Sequence, residues 1–184
     1  VDIIRKHEQK LAWWVSEKDR GQADAVNKGF AKASGKYCGW LNSDDLYLPG
    51  AVSGAVALLE QNPHAGFVYG DVKSIDEAGR VTHIMRYGHW NLDNLMGFDI
   101  IGQPGVFFRS DLFRDVGGLD LNYHYLLDHH LWLRFASAAG MQYSAKIWAA
   151  ARFHSAAKNV ANAANFGDEA LQLAQWMSTS PLFA

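Results

Sequence analysis

The chain is poor in cysteine, in basic runs and in long apolar stretches, and each shortage removes a class of protein. Its 184 residues include one cysteine, Cys38. No intrachain disulfide can form, so a reducing compartment is the expected setting. Lysine and arginine number 17 against 19 aspartates and glutamates, a net charge of −2 at pH 7. With no basic run and no RNA-binding signature, nucleic acid is not an expected partner. No uncharged apolar run reaches the ~20 residues that span a bilayer, so no transmembrane segment is expected. There is no H-E-x-x-H pattern, and the eight histidines form no convincing zinc set. A G-x-S-x-G elbow for Ser-His-Asp hydrolysis is also missing. Repeats, low-complexity tracts and linkers rich in Pro, Gly or Ser are absent as well.

What remains is a composition able to bury a core: 49% hydrophobic and 13% aromatic, in a length suited to one domain. Ala23, Val26, Phe30 and Ala33 predict an amphipathic helix over 22–34, ended by Gly35. A buried strand is expected over 37–41, and another over 11–15 carrying Trp13 and Trp14. Pro49 is placed to open a helix that buries Ala55 and Leu59. Residues 67–72 read as a strand, and the turn signal Asp76-Glu77-Ala78-Gly79 folds 80–86 back as a hairpin. Asn91 can cap a short helix through Met96, and a strand is expected over 105–109. Ser110 can cap the helix that follows. Helices over 128–139 and 162–177 flank a strand over 141–151. Strands alternating with helices predict an α/β fold with a mainly parallel sheet. Trp13, Trp14, Trp40 and Trp132 read as core residues.

The most informative segment is 16–49. It ends in Asn42-Ser43-Asp44-Asp45, just beyond a predicted strand, where open α/β sheets bind ligands. Adjacent carboxylates repel unless a cation or a donor compensates. A hard divalent ion takes one or two carboxylates together with substrate phosphates. The plain alternative is a solvated turn that caps the next helix.

In its sequence of motifs the chain resembles the family 2 glycosyltransferases, inverting enzymes of the GT-A fold that use nucleotide-diphospho-sugars. The matching residues are Ser16-Glu17, Asp19, Gly21-Gln22, Asp24-Ala25, Asn27-Lys28-Gly29, Ala33-Ser34-Gly35 and Trp40 through Asp45 with Leu48-Pro49-Gly50. Tyr69-Gly70-Asp71, Gln103-Pro104, Val106 through Arg109, Val116 through Asp120, and Tyr125 through Arg134 follow in the family's order. The resemblance covers most of the chain to about Lys158.

The resemblance implies roles. Asn42-Ser43-Asp44-Asp45 stands at the family's DXD motif, with Asn42 where Asp is commoner. Asp44 and Asp45 would hold Mn²⁺ or Mg²⁺, with Asp44 and Asn42 also facing the nucleotide-sugar. Gln22 and Asp24 would face the nucleotide, or else cap their helix. Asp128 would be the general base that deprotonates the acceptor hydroxyl, its alternative being a helix cap. Leu127 and His130 stand where further acids are common. Asp71 and Gln103 would line the acceptor side. His154 would join the metal and Lys158 the diphosphate. A nucleotide-sugar donor and a saccharide or glycolipid acceptor are the implied partners. The implied setting is cytoplasmic assembly of bacterial-type cell-surface polysaccharide or glycolipid, by peripheral contact with the inner membrane face.

The expected organisation is a catalytic domain over 1–158 and a helical extension over 159–184. The first βαβ portion of the family fold is expected to precede Val1, and homo-oligomers are expected if that sheet edge stays open. Two other readings stay open. A non-catalytic sugar- or nucleotide-binding module would keep the fold without turnover. A nucleotidyltransferase would share the fold class but would want a Gly-rich basic N-terminal loop, and none is seen.

Overall fold

The computed structural model describes residues 1–153 and 163–183. The expectations on His154 and Lys158 fall outside the described residues. After a short helix α1 (Asp2–Lys6), the elements are α2 (Gln22–Lys32), β1 (Tyr37–Gly39), β2 (Leu46–Tyr47), α3 (Ala51–Gln61), β3 (Ala65–Ile75) and β4 (Val81–Met85). They continue with α4 (Leu92–Met96), β5 (Val106–Arg109), α5 (Ser110–Asp115), α6 (Leu127–Ala138), β6 (Gly140–Arg152) and α7 (Ala163–Thr179).

β3 is the spine. It is buried almost throughout and pairs with β4, β5 and β6. Successive side chains of a strand face opposite ways, and the two cores follow that rule. Phe67 and Tyr69 join Val106 and Phe108 of β5 in the larger core, with α6 and α7. Val68 and Phe107 join Ala55, Leu59 and Trp148 in the smaller core under α3. Gly70 of β3 lets the Trp148 indole lie against the sheet, since a Cβ there would stand 2.5 Å from the ring. The result is a sheet with helices on both faces.

The strand order is β1-β5-β3-β6-β2, with β4 added at β3. Only the β3–β6 pairing is parallel among the described strands; the other four are antiparallel. The mainly parallel sheet expected from the alternation is therefore met in part. β1, β3 and β6 do run the same way, but β5 inserts between β1 and β3 in the opposite direction. Alternation reports direction and not order. The carboxyl ends of β1, β3 and β6 consequently lie on one side of the sheet, together with the start of β5.

The strand expected over 11–15 does not form. No described segment pairs with it, and a strand without a ladder leaves its amides to water. Trp13 is 42% exposed, with the Lys32 ammonium 5.9 Å from its ring centroid. Trp40 and Trp132 are buried as expected. Asn91 caps α4 through a reciprocal pair with Asn94. Ser110 instead starts α5 itself, and Arg109 is the N-cap residue. Leu173 and Met177 of α7 enter the larger core. No helix among the described residues is long and apolar enough to cross a membrane.

α6 buries two histidines. His129 contacts the Leu95 carbonyl at 3.0 Å through Nε2, whereas neither nitrogen of His130 has a hydrogen-bond partner among the described residues. His130 stacks on Tyr123 at 4.1 Å and meets the edge of Trp176 at 4.4 Å. Burial pushes His129 down to about 4. Burial, with help from Arg134, pushes His130 down to about 3. A histidine whose folded pKa lies below its unfolded value of about 6.5 is fully compatible with folding above that value. Its contribution is lost as pH falls from about 6.5 toward the folded pKa, by about 1.4 kcal/mol per pH unit. His130→Phe keeps the ring contacts and removes the unpaired nitrogens. Urea unfolding at stepped pH should show the variant at least as stable as the parent at pH 7, with a shallower loss below pH 6.5. An unchanged slope would contradict this account of His130.

Candidate active site

The site begins where β1 ends. Trp40 is buried, and the chain then turns, with the Asp45 amide donating to the Asn42 carbonyl at 3.2 Å. The Asn42 carboxamide is the hub of this turn. Its oxygen accepts from the Trp40 indole at 3.1 Å and from the Gln22 amide at 3.3 Å. Its nitrogen donates to Gln103 Oε1 at 2.9 Å and to Asp45 Oδ2 at 3.3 Å. Gln103 in turn donates to the Trp40 carbonyl. The carboxamide's two acceptor and two donor positions are thereby each engaged with a neighbour. A carboxylate here could accept from Trp40 and Gln22 but could not donate to Gln103 and Asp45. The asparagine is matched to this network in a way an aspartate is not.

Asp45 is buried and accepts the Arg152 amide at 3.0 Å. Burial pushes its carboxyl up, the Arg152 amide pulls it down, and the neighbouring Asp44 adds to the rise. A desolvated carboxylate beside a second one is poised to take up a cation. Arg152 also clamps the turn from behind. Its guanidinium donates to the Asp44 carbonyl at 3.2 Å and to the carbonyls of Asp76 and Glu77 at 2.8 and 3.1 Å. The turn after β1 is thus tied to the β3–β4 hairpin.

A cleft of about 470 Å³ opens at this side of the sheet. Gln22, Asn42, Asp44, Asp45, Gln103 and Asp128 all line it. Six of the residues singled out in the sequence, drawn from positions more than 100 apart in the chain, therefore share one cavity. Asp128 stands in the first turn of α6, its Oδ1 accepting the His129 amide at 2.8 Å. Tyr87, His124, Tyr125 and Arg152 complete much of the wall.

Two expected residues lie behind the cleft. Asp24, in the first turn of α2, accepts the Arg20 amide and guanidinium, both at 3.1 Å, and lies 3.3 Å from the Lys28 ammonium. Those Arg20 bonds hold its carboxyl below the usual range. Asp24 thus braces the chain just before α2, whose N-cap residue Gly21 receives no side-chain cap. Asp71 is fully buried and accepts the Tyr87 amide at 3.0 Å and the Tyr143 hydroxyl at 2.7 Å. The Tyr87 hydroxyl accepts the Gly102 amide at 2.9 Å, next to Gln103. Asp71 therefore bears on the cleft through Tyr87 and not as a lining residue.

Sequence reasoning did not assign Tyr87, Arg152 or Glu169. Arg152 had a signal, a cation closing the last predicted strand at the same sheet end as the acid pair. Tyr87 had none, because its place follows from Asp71 and a hairpin whose register is not written locally.

The residues present fit a divalent cation in a specific way. No three His, Cys, Asp or Glu side chains gather into a metal cage among the described residues. Asp44 and Asp45 offer two carboxylates to the cleft, and burial pushes the Asp45 carboxyl up. That donor set suits a Mg²⁺- or Mn²⁺-type ion shared with phosphate oxygens better than a closed structural site.

The family model for glycosyl transferase family 2 matches residues 1–114. An uncharacterized glycosyltransferase of Mycobacterium tuberculosis is 33% identical over 135 residues, 70% of this chain and 49% of that protein. A PGL/p-HBAD biosynthesis glycosyltransferase of Mycobacterium bovis is 32% identical over 111 residues, 60% of this chain and 41% of that protein. An uncharacterized glycosyltransferase of Rickettsia typhi is 24% identical over 162 residues, 84% of this chain and 51% of that protein. The chain thus spans about half the length of the curated relatives it matches. The crystal structure of S. aureus TarS 1-349 in complex with UDP superposes with a TM-score of 0.63 at 17% identity, over 84% of this chain and 47% of that one. At that identity the likeness speaks for the fold, which is that of the GT-A enzymes. With more than half of its length matched by the family model, and a cleft at the expected end of the sheet, the chain belongs to glycosyl transferase family 2.

Proposed function

We propose that the protein transfers a sugar from a nucleotide-diphospho-sugar to an acceptor hydroxyl with inversion at the anomeric carbon. The observation that carries this reading is the convergence of Asp44, Asp45, Gln103 and Asp128 on one cleft at the carboxyl ends of β1 and β6.

In this reading Asp44 and Asp45 would hold a Mn²⁺ or Mg²⁺ ion beside the donor's diphosphate. The bound ion would offset the negative charge that develops on the leaving nucleoside diphosphate. Gln22 and the Trp40–Asn42 turn form the nucleotide side of the cleft. Gln103 and Tyr87 form the acceptor side. An alcohol is a weak nucleophile until a base takes its proton. Asp128 accepts that proton as the acceptor oxygen bonds to the anomeric carbon and the bond from that carbon to the diphosphate oxygen breaks. The products are the glycoside, the nucleoside diphosphate and protonated Asp128.

The structures of TarS in complex with UDP and with UDP-GlcNAc make uridine diphosphate sugars the donors to try first. A relative named for PGL/p-HBAD biosynthesis makes a glycolipid or a cell-surface saccharide the acceptor class to try first. The work would then lie at the inner face of the membrane, by peripheral contact.

The test is incubation of the protein with UDP-sugars, Mn²⁺ and simple saccharide or lipid-linked acceptors. Release of UDP and a product whose anomeric proton coupling reports inverted configuration are expected. A product of retained configuration would contradict the role given to Asp128. Absence of transfer from any nucleotide-sugar would contradict the transferase.

A further inference from the structure

The first turn of α6, which carries Asp128, has no side-chain cap from its own N-cap residue, Leu126. A helix end without such partners leaves its first amides unsatisfied. An acceptor from α7, more than 40 residues along the chain, instead takes the amide of the N-cap residue and those of the two residues before it. Glu169 is 6% exposed, and its carboxylate accepts three consecutive backbone amides. These are His124 at 2.6 Å through Oε1, and Tyr125 at 2.6 Å and Leu126 at 2.5 Å through Oε2. Successive amides turned toward one point form an anion-binding concavity, and charge-assisted bonds of this kind are among the stronger ones.

The place of this concavity matters. His124, Tyr125, Leu127 and Asp128 line the cleft. Glu169 therefore grips, from behind, the same three residues that lead into Asp128. α7 is a firm support for that grip, because Leu173 and Met177 sit in the larger core and Trp176 packs edge-on against His130 of α6. Asn165, one turn before Glu169, donates to the Tyr125 hydroxyl at 3.2 Å and fixes the same segment at a second point.

We infer that Glu169 is a positioning residue for the reaction: its carboxylate fixes the 124–126 backbone and so aims Asp128 into the cleft. The inference rests on Asp128 being the base. It makes α7 part of the catalytic apparatus and not an appendage to it. Glu169→Gln is the informative change, since it keeps the side chain's size but turns one acceptor into a donor that faces an amide.

Three measurements on the protein test it together: turnover, nucleotide diphosphate binding by calorimetry, and amide hydrogen exchange. Glu169→Gln should lower kcat by about 10²-fold, the loss expected when a catalytic group is displaced by about 1 Å. Binding of the nucleoside diphosphate should be unchanged, and the amides of His124, Tyr125 and Leu126 should exchange faster. Full turnover in a folded Glu169→Gln protein would overturn the inference. Equal loss of turnover and nucleotide binding would also overturn it, since that pattern marks a general structural role. Asp128→Asn, measured in parallel, separates the two readings. If it is inactive while Glu169→Gln is fully active, only the inference on Glu169 fails. If Asp128→Asn keeps its turnover, the base assignment fails and the inference falls with it.

Discussion

Asp128→Asn is expected to lower turnover by about 10²–10⁴-fold, the range for loss of a general base, while nucleotide binding stays at its parent value. The structural reason the two effects separate is local. Asp128 Oδ1 accepts the His129 amide, and an asparagine oxygen can do the same, so α6 keeps its first turn. What the amide lacks is the capacity to take a proton from the acceptor hydroxyl. The side of the cleft proposed for the donor, lined by Gln22, Asn42, Asp44 and Asp45, comes from other elements and is untouched. Steady-state kinetics with saturating donor, paired with calorimetry, checks both halves. Turnover within a few-fold of the parent would remove Asp128 from its role.

Asp45→Asn has the second large effect, and on the other half of the reaction. It should weaken metal-dependent nucleotide binding by more than the 10–100-fold typical of losing a partner outside a metal's own shell. The variant keeps an oxygen for the Arg152 amide but loses the charge that burial and Asp44 make costly to hold without a cation. It also sets an amide nitrogen opposite that of Asn42, where the parent has a 3.3 Å hydrogen bond. Circular dichroism and a thermal scan establish that the variant is folded before binding is read. Unchanged affinity in the presence of Mn²⁺ would place the cation elsewhere.

These two acids were legible from the chain because their signals are local. The Asn42–Asp45 turn follows a short buried strand and precedes a helix, and Asp128 opens a helix with a strong apolar face. Gln103 was singled out by the family resemblance, just before the buried strand β5, and it lines the same cleft. Asp24 and Asp71 carried the same kind of signal, an acid at an element boundary, yet Asp24 bonds Arg20, and Asp71 accepts Tyr87 and Tyr143 through one oxygen with the Arg86 guanidinium 3.6 Å from the other. An acid that lines a cleft and one that braces it look alike in sequence. Their difference lies in contacts made across 16 and 72 positions in the case of Asp71.

The sheet shows the same boundary between local and distant information. Each strand of β3, β5 and β6 was readable from its apolar run. The insertion of β5 between β1 and β3 was not, because pairing order depends on which edges are free when the chain returns. The expected strand over 11–15 failed for the complementary reason. Its residues suit a strand, but nothing described supplies the partner ladder. Glu169 is the furthest case: a glutamate in an ordinary amphipathic helix gives no hint that it holds the backbone leading into another helix at the cleft.

The proposed reaction depends on a cation-dependent nucleotide diphosphate site at Asp44 and Asp45. Calorimetric titration of UDP, GDP and dTDP into the protein, each with and without Mn²⁺, tests it most directly. One nucleotide should bind, only when the metal is present, and Asp45→Asn should abolish that binding. Binding that is indifferent to the metal, or that survives in the variant, would contradict the claim.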